Sequence, residues 1–207
     1  WTLDGLDSLD AGLVSKALAD PARDVRVSAV RLAERWLSEP ASPLQSAVLK
    51  LETDPDWAVR QQLAASLGSL PSGVRETAIA GLLARHGNDP VTLDAALSGV
   101  RDSETMLLGL LVKSAAETPQ LAESIAMTTA TIVRGAQDGP VQDVFTLLAQ
   151  NERPLWQRSA LMRGAESALL PAGGGRGGRG GRGLAGGAGR GAGTGAPAPA
   201  GARGGPG

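Results

Sequence analysis

Apolar residues recur along this chain at helical rather than strand spacing. Over residues 10–18 they fall at Leu13, Val14, Ala17 and Leu18, an i, i+1, i+4, i+5 stripe, with Asp10 placed to cap the helix. Asp20-Pro21 ends that helix, because proline cannot continue one and restrains the residue before it. The next stretch carries Val25, Ala29, Leu32, Ala33 and Trp36 on one face, a core stripe, with Arg23, Arg31, Glu34 and Arg35 mostly outside. Ser42 followed by Pro43 suits an N-cap and a first helical residue. Further breaks at Pro71-Ser72-Gly73, Gly87-Asn88-Asp89-Pro90, Thr118-Pro119, Gly139-Pro140 and Arg153-Pro154 predict helices over 73–86, 90–101, 103–115, 119–135, 139–150 and 154–170. No stretch alternates with period two for long enough to be a strand. The expected class is all-α, ten helices in about five antiparallel pairs.

The pattern also repeats. DPARDVRVSAVRLAERWL at 20–37 returns as DPDWAVRQQLAASLGSL at 54–70, with Asp20, Val25 and Arg26 recurring 34 residues later as Asp54, Val59 and Arg60. Leu13, Val14 and Ala17 map onto Ala47, Val48 and Leu51, and Val25, Ala29, Ala33 and Trp36 map onto Val59, Leu63, Leu67 and Leu70, apolar onto apolar throughout. A third, eroded copy starts at Asp89-Pro90, 35 residues after the second. A period of 34–35 residues containing two helical patterns is the signature of an α-solenoid, in which each helix pair covers the apolar face of the next. Residues 1–9 read as the end of a helix from an earlier repeat.

Composition divides the 207 residues in two. Residues 1–170 are apolar-periodic and form the expected solenoid. Residues 171–207 hold 18 of the 29 glycines, five arginines (Arg176, Arg179, Arg182, Arg190 and Arg203) and no acidic residue. A tail of that composition cannot bury apolar surface against its ordering entropy and reads as a disordered linker. Its Gly-Arg repeats are those of segments that bind RNA by charge and stacking, which keeps RNA binding through the tail as the alternative function, although no Phe or Tyr is interleaved. The formal charge of −1 hides the asymmetry, since 15 basic face 21 acidic residues upstream of the tail. A body at −6 argues against nucleic acid as a partner of the solenoid.

Without cysteine there is no disulfide, thiolate metal site or covalent haem attachment in this chain, and the single histidine, His86, excludes a multi-histidine metal centre. No apolar run is long enough to span a bilayer. The chain opens on Trp1 without an initiator Met or a signal sequence and reads as a piece of a longer protein.

Candidate chemistry is sparse. Asp20 with Arg26, and Asp54 with Arg60, resemble the Asp and Arg positions of HEAT-type repeats, where the arginine bonds the turn aspartate of its own or a neighbouring repeat. The expected role is a structural ladder that satisfies helix-terminal groups at the turns. His86, at a helix end, reads as a hydrogen-bonded or capping residue. Asp102, Glu104, Glu117 and Glu123 form no acid–base pair at a defined spacing. No residue is assigned a catalytic, cofactor-binding or metal-binding role. Trp57 and Trp156, each in the first turn of its helix, are expected to cover seams between repeats, with a partner interface as the sharper reading. Met106, Met127 and Met162 read as core fillers.

Taken together, WTLDGLDSLDAGLVSKALADPARDVRVSAVRLAERWL and DPDWAVRQQLAASLGSL resemble the HEAT-repeat segment of large bacterial multidomain dehydrogenases, and WQRSALMRGAE at 156–166 is similar to its closing helix. Such proteins carry a pyrroloquinoline-quinone or sugar-dehydrogenase-like β-propeller before the repeats and a c-type cytochrome after them. The resemblance implies a non-catalytic helical spacer in an exported, periplasmic electron-transfer protein. Its partners are then neighbouring domains or another protein, and any haem or quinone lies in the parent. No haem-attachment motif or propeller residue lies in this chain, so none of those sites carries over.

Overall fold

A computed structural model describes Gly5 and residues 8–170. The chain divides into two units, Trp1–Ala172 and Gly173–Gly207. Only the first contains described residues, so the linker expected at 171–207, like the helix end expected over most of 1–9, lies outside them.

The described residues hold ten α-helices and no strand: α1 (Ala11–Ala17), α2 (Arg23–Leu37), α3 (Pro43–Leu49), α4 (Trp57–Ser66), α5 (Val74–His86), α6 (Pro90–Ser98), α7 (Glu104–Leu111), α8 (Pro119–Gly135), α9 (Asp138–Ala149) and α10 (Leu155–Leu169). The class is all-α. Short 3-10 turns, Lys50–Thr53 and Leu67–Ser69, extend α3 and α4. The helix starts follow from local chemistry. Asp10, Asp56, Asp89 and Thr118 each accept a backbone N–H of the first turn, and Pro43, Pro90 and Pro119 occupy first-turn positions where no N–H is needed. Pro140, expected as a breaker, instead sits inside the first turn of α9, for the same reason.

Three helices that open each copy of the Asp-Pro repeat, α2, α4 and α6, pack successively on one another. α1 packs on α2 and α3, and α5 packs on α6 and α7. The 17-residue α8 takes α5, α7 and α10 as its principal neighbours. Its buried face mixes Leu121, Ile125 and Ala130 with Ser124, Thr128 and Thr129, whose hydroxyls each donate to the carbonyl four residues back at 2.7–2.8 Å. One continuous core runs from Val14 to Leu161.

Two close approaches depend on missing side chains. A Cβ on Gly68 would lie 2.9 Å from the Gly99 Cα, so the ends of the second and third Asp-Pro helices meet backbone to backbone. A Cβ on Gly164 would lie 2.3 Å from the Ala126 carbonyl oxygen, which lets α10 settle onto α8. Gly164→Val is expected to cost about 1–3 kcal/mol through forced separation of these helices. Gly109→Ala, with nothing within 4 Å, should be neutral or slightly stabilising. Urea unfolding midpoints distinguish the two.

The core stripe on α2 is rotated from the expected one. Ala29, Val30, Ala33 and Leu37 are buried, Leu32 and Trp36 are half-buried, and Val25 is 39% exposed. Its repeat counterpart Val59 is fully buried. The two helices differ in their neighbours: α4 packs on both α2 and α6, whereas α2 packs on α4, α1 and α3. Leu13, on α1, is likewise exposed. Met106 and Met162, expected as core fillers, are half exposed, and only Met127 packs against the core. Their spacing is helical, but they fall on the outward sides of α7 and α10.

Candidate functional site

The Asp-Pro turns precede α2, α4 and α6, and of the polar residues expected to act there Arg26 and Asp54 meet across two of them. Within each turn the aspartate folds back on its own backbone: Asp20 accepts from the Ala22 N–H at 2.8 Å and Asp54 from the Asp56 N–H at 2.9 Å. Arg26 donates through Nε and Nη2 to both carboxylate oxygens of Asp54 at 2.8 and 2.9 Å, and through Nη1 to the Asp20 carbonyl at 2.9 Å. One guanidinium thus ties two successive turns together, in the fork geometry that suits a carboxylate. Arg23 adds a looser pair with Asp56 at 3.6 Å.

Burial pushes the Asp54 carboxyl up, but the Arg26 fork and the Asp56 N–H outweigh it and hold it below the usual carboxylate range. The same contact raises Arg26 above its ordinary value. Arg26→Met should therefore move the Asp54 pKa upward, read by carboxyl carbon NMR titration. An unchanged titration would mean that the turn backbone alone fixes Asp54.

The next interval differs. Arg60 repeats the local bond of Arg26, donating Nη1 to the Asp54 carbonyl at 2.5 Å, but it makes no pair with Asp89. Gln61 reaches Asp89 instead, at 3.1 Å, and the Thr92 hydroxyl and N–H complete its shell. The Thr92 hydroxyl first, and Gln61 with it, hold the Asp89 carboxyl below its ordinary range against burial. Trp57, Arg60, Gln61, His86, Asp89 and Thr92 line a cleft of about 230 Å³ here. Trp57 stands 58% exposed at its edge.

His86 turns its Nε2 to the Glu52 carbonyl at 3.2 Å, and the adjacent Arg85 pairs with the Glu52 carboxylate at 2.6 Å. Trp156 lies elsewhere, half-buried on α10 against the core, so the two candidate interface tryptophans are not brought together. Of the scattered acids, Glu123 makes an exposed pair with Arg163 at 3.6 Å. Among the described residues no group of three or more acidic, histidine or cysteine side chains could hold a metal, and no helix is long and apolar enough to cross a membrane.

One polar centre was not anticipated. Glu76, in the first turn of α5, is wholly buried. Its carboxylate accepts from the Gly73 N–H, from Arg75 Nε and Nη2 at 2.9 and 2.7 Å, and from the Ser103 hydroxyl at 2.8 Å. Burial pushes the group up, yet Ser103, the Gly73 N–H and Arg75 more than offset this and bring it down to about 2. The available signal was a glutamate three residues after the Ser72-Gly73 break, where a first-turn side chain can reach back to the N-cap backbone.

No protein-family model, curated protein or solved structure matches the chain.

Proposed function

We propose that residues 1–170 act as a non-catalytic scaffold, a HEAT-like α-solenoid of about five helix pairs that holds neighbouring domains or a protein partner along its turn edge. The observation that carries this reading is the Arg26–Asp54 fork, which spans two copies of the repeat on helices stacked in register. A bond that ties one copy of the repeat to the next supports a one-dimensional stack, in which the distance between bound groups is set by the number of repeats. Trp57, exposed at that edge, supplies a rigid amphipathic contact of the kind that anchors interfaces. The resemblance to the dehydrogenase segment supports a specific setting: a spacer between a β-propeller and a c-type cytochrome domain in an exported protein.

Reading the parent coding frame on both sides tests the setting. The expected result is a propeller upstream and a CxxCH motif downstream; a frame containing neither overturns it. A photo-cross-linking residue at position 57 in the full-length protein then tests the edge. It should mark one of those neighbouring domains, and labelling no stronger than at an exposed position on α9 would overturn the edge as the contact face.

A further inference from the structure

The two intervals between Asp-Pro turns are equivalent by repeat but not by chemistry. In the first, two arginines of α2 pair across the gap, Arg23 with Asp56 and Arg26 with Asp54. The register assigns their counterparts as Trp57 with Val91 and Arg60 with Asp89. Neither charged pair survives. The outer one has become Trp57 and Val91, 58% and 57% exposed. The inner one has lost its bond because Gln61 and Thr92 occupy Asp89. Arg60 therefore keeps one hydrogen bond, to the Asp54 carbonyl, and its Nε and Nη2 have no partner among the described residues.

We propose that the Arg60–Trp57 cleft binds an acidic side chain of a protein partner, next to an apolar residue of that partner. The carboxylate takes the place that Asp54 fills for Arg26, accepting from Arg60 Nε and Nη2 as a fork. The neighbouring apolar side chain covers the exposed Trp57. Asp89 keeps its negative charge beside the cleft, since its Thr92 and Gln61 donors are neutral, so recognition depends on the direct fork with Arg60 rather than on the net charge of the cleft. A cleft of about 230 Å³ admits one carboxylate-bearing side chain, not a large ligand. The proposal rests on the reading of the turn edge as an interaction face and specifies what that face recognises.

The test uses the full 207-residue chain and two blocked dipeptides, N-acetyl-glutamyl-leucine amide and its glutamine analogue, followed by NMR at the arginine Nε and tryptophan indole N–H groups. The expected result is saturable movement of Arg60 and Trp57 with the glutamyl peptide, roughly tenfold weaker with the glutaminyl peptide, while the already paired Arg26 stays still. Arg60→Gln should abolish the preference between the peptides, and Trp57→Ala, a change at an exposed position, should weaken both. Equal affinity for the two peptides, or no movement of Arg60, overturns the proposal. Trp57 moving equally with both peptides would overturn the carboxylate assignment while leaving the turn edge as a contact face. If Arg60→Gln does not fold, the comparison of the two peptides on the unaltered chain decides by itself.

Discussion

Replacing Leu63 with alanine should destabilise the fold by roughly 2–5 kcal/mol, the usual cost of leaving a cavity where a buried leucine stood. Leu63 is fully buried in the middle of α4, the helix covered by α2 on one side and α6 on the other. Neighbours held on both sides cannot collapse into the space, which places the expected cost well above that of an edge position. Val25→Ala is the matched comparison, because Val25 occupies the same stripe of the repeat but is 39% exposed on α2. Its loss should stay within about 1 kcal/mol. Chemical denaturation with an unchanged slope reads both changes. A Leu63→Ala loss below about 0.5 kcal/mol would remove the basis for the repeat register.

Glu76 carries the second large effect, and it depends on pH. Its carboxyl is brought from an ordinary value near 4.5 down to about 2, so the folded state favours the charged form. For a depressed acid the stabilisation is present above the unfolded pKa and disappears as pH falls through the folded one. The window is therefore about pH 4.5 to 2, and the contribution lost across it is roughly 3 kcal/mol. Glu76→Ala should remove this segment of the pH–stability curve. At neutral pH it should cost on the order of 3 kcal/mol, since the Gly73 N–H and Arg75 Nε lose their acceptor, while the Ser103 hydroxyl keeps only the Val100 carbonyl and Arg75 Nη2 only the Ser103 oxygen. Glu76→Gln keeps the shape but not the charge and should lie between the two. A pH–stability curve unchanged in Glu76→Ala would assign acid sensitivity to the turn aspartates instead.

Glu76 also illustrates why part of the molecule was hidden in the sequence. A glutamate in the first turn of a helix reads as a solvated dipole partner, which is its usual place. This one is buried, and one of its donors is Ser103, 27 residues away at the start of α7. Arg60 is the reverse case. Sequence alignment makes it identical in role to Arg26, and its local bond to the turn carbonyl is indeed the same. Its cross-repeat bond is not, because the third copy is offset by 35 residues rather than 34 and Gln61 reaches Asp89 first. Trp57 and Trp156 look alike in sequence, each two residues after a proline, yet one is exposed and the other packs on the core.

The sequence by itself determined the helices, their order and most of their ends. Helical period, N-caps and prolines act over one or two turns, so Asp10, Asp89-Pro90 and Thr118-Pro119 suffice locally. It also determined the spacing of the Asp-Pro turns, and with it that Arg26 has an aspartate from the next copy within reach. Only the tertiary structure decided which side of each helix is covered, which turned Val25 outward and Val59 inward, and put Met106 and Met162 at the surface. It likewise decided that α8 packs on α5, α7 and α10, and its contact with α10 needs the bare backbone of Gly164 beside Ala126. The physical reason is common to these cases: periodicity marks an apolar face, but whether that face meets water or protein depends on neighbours supplied by distant parts of the chain.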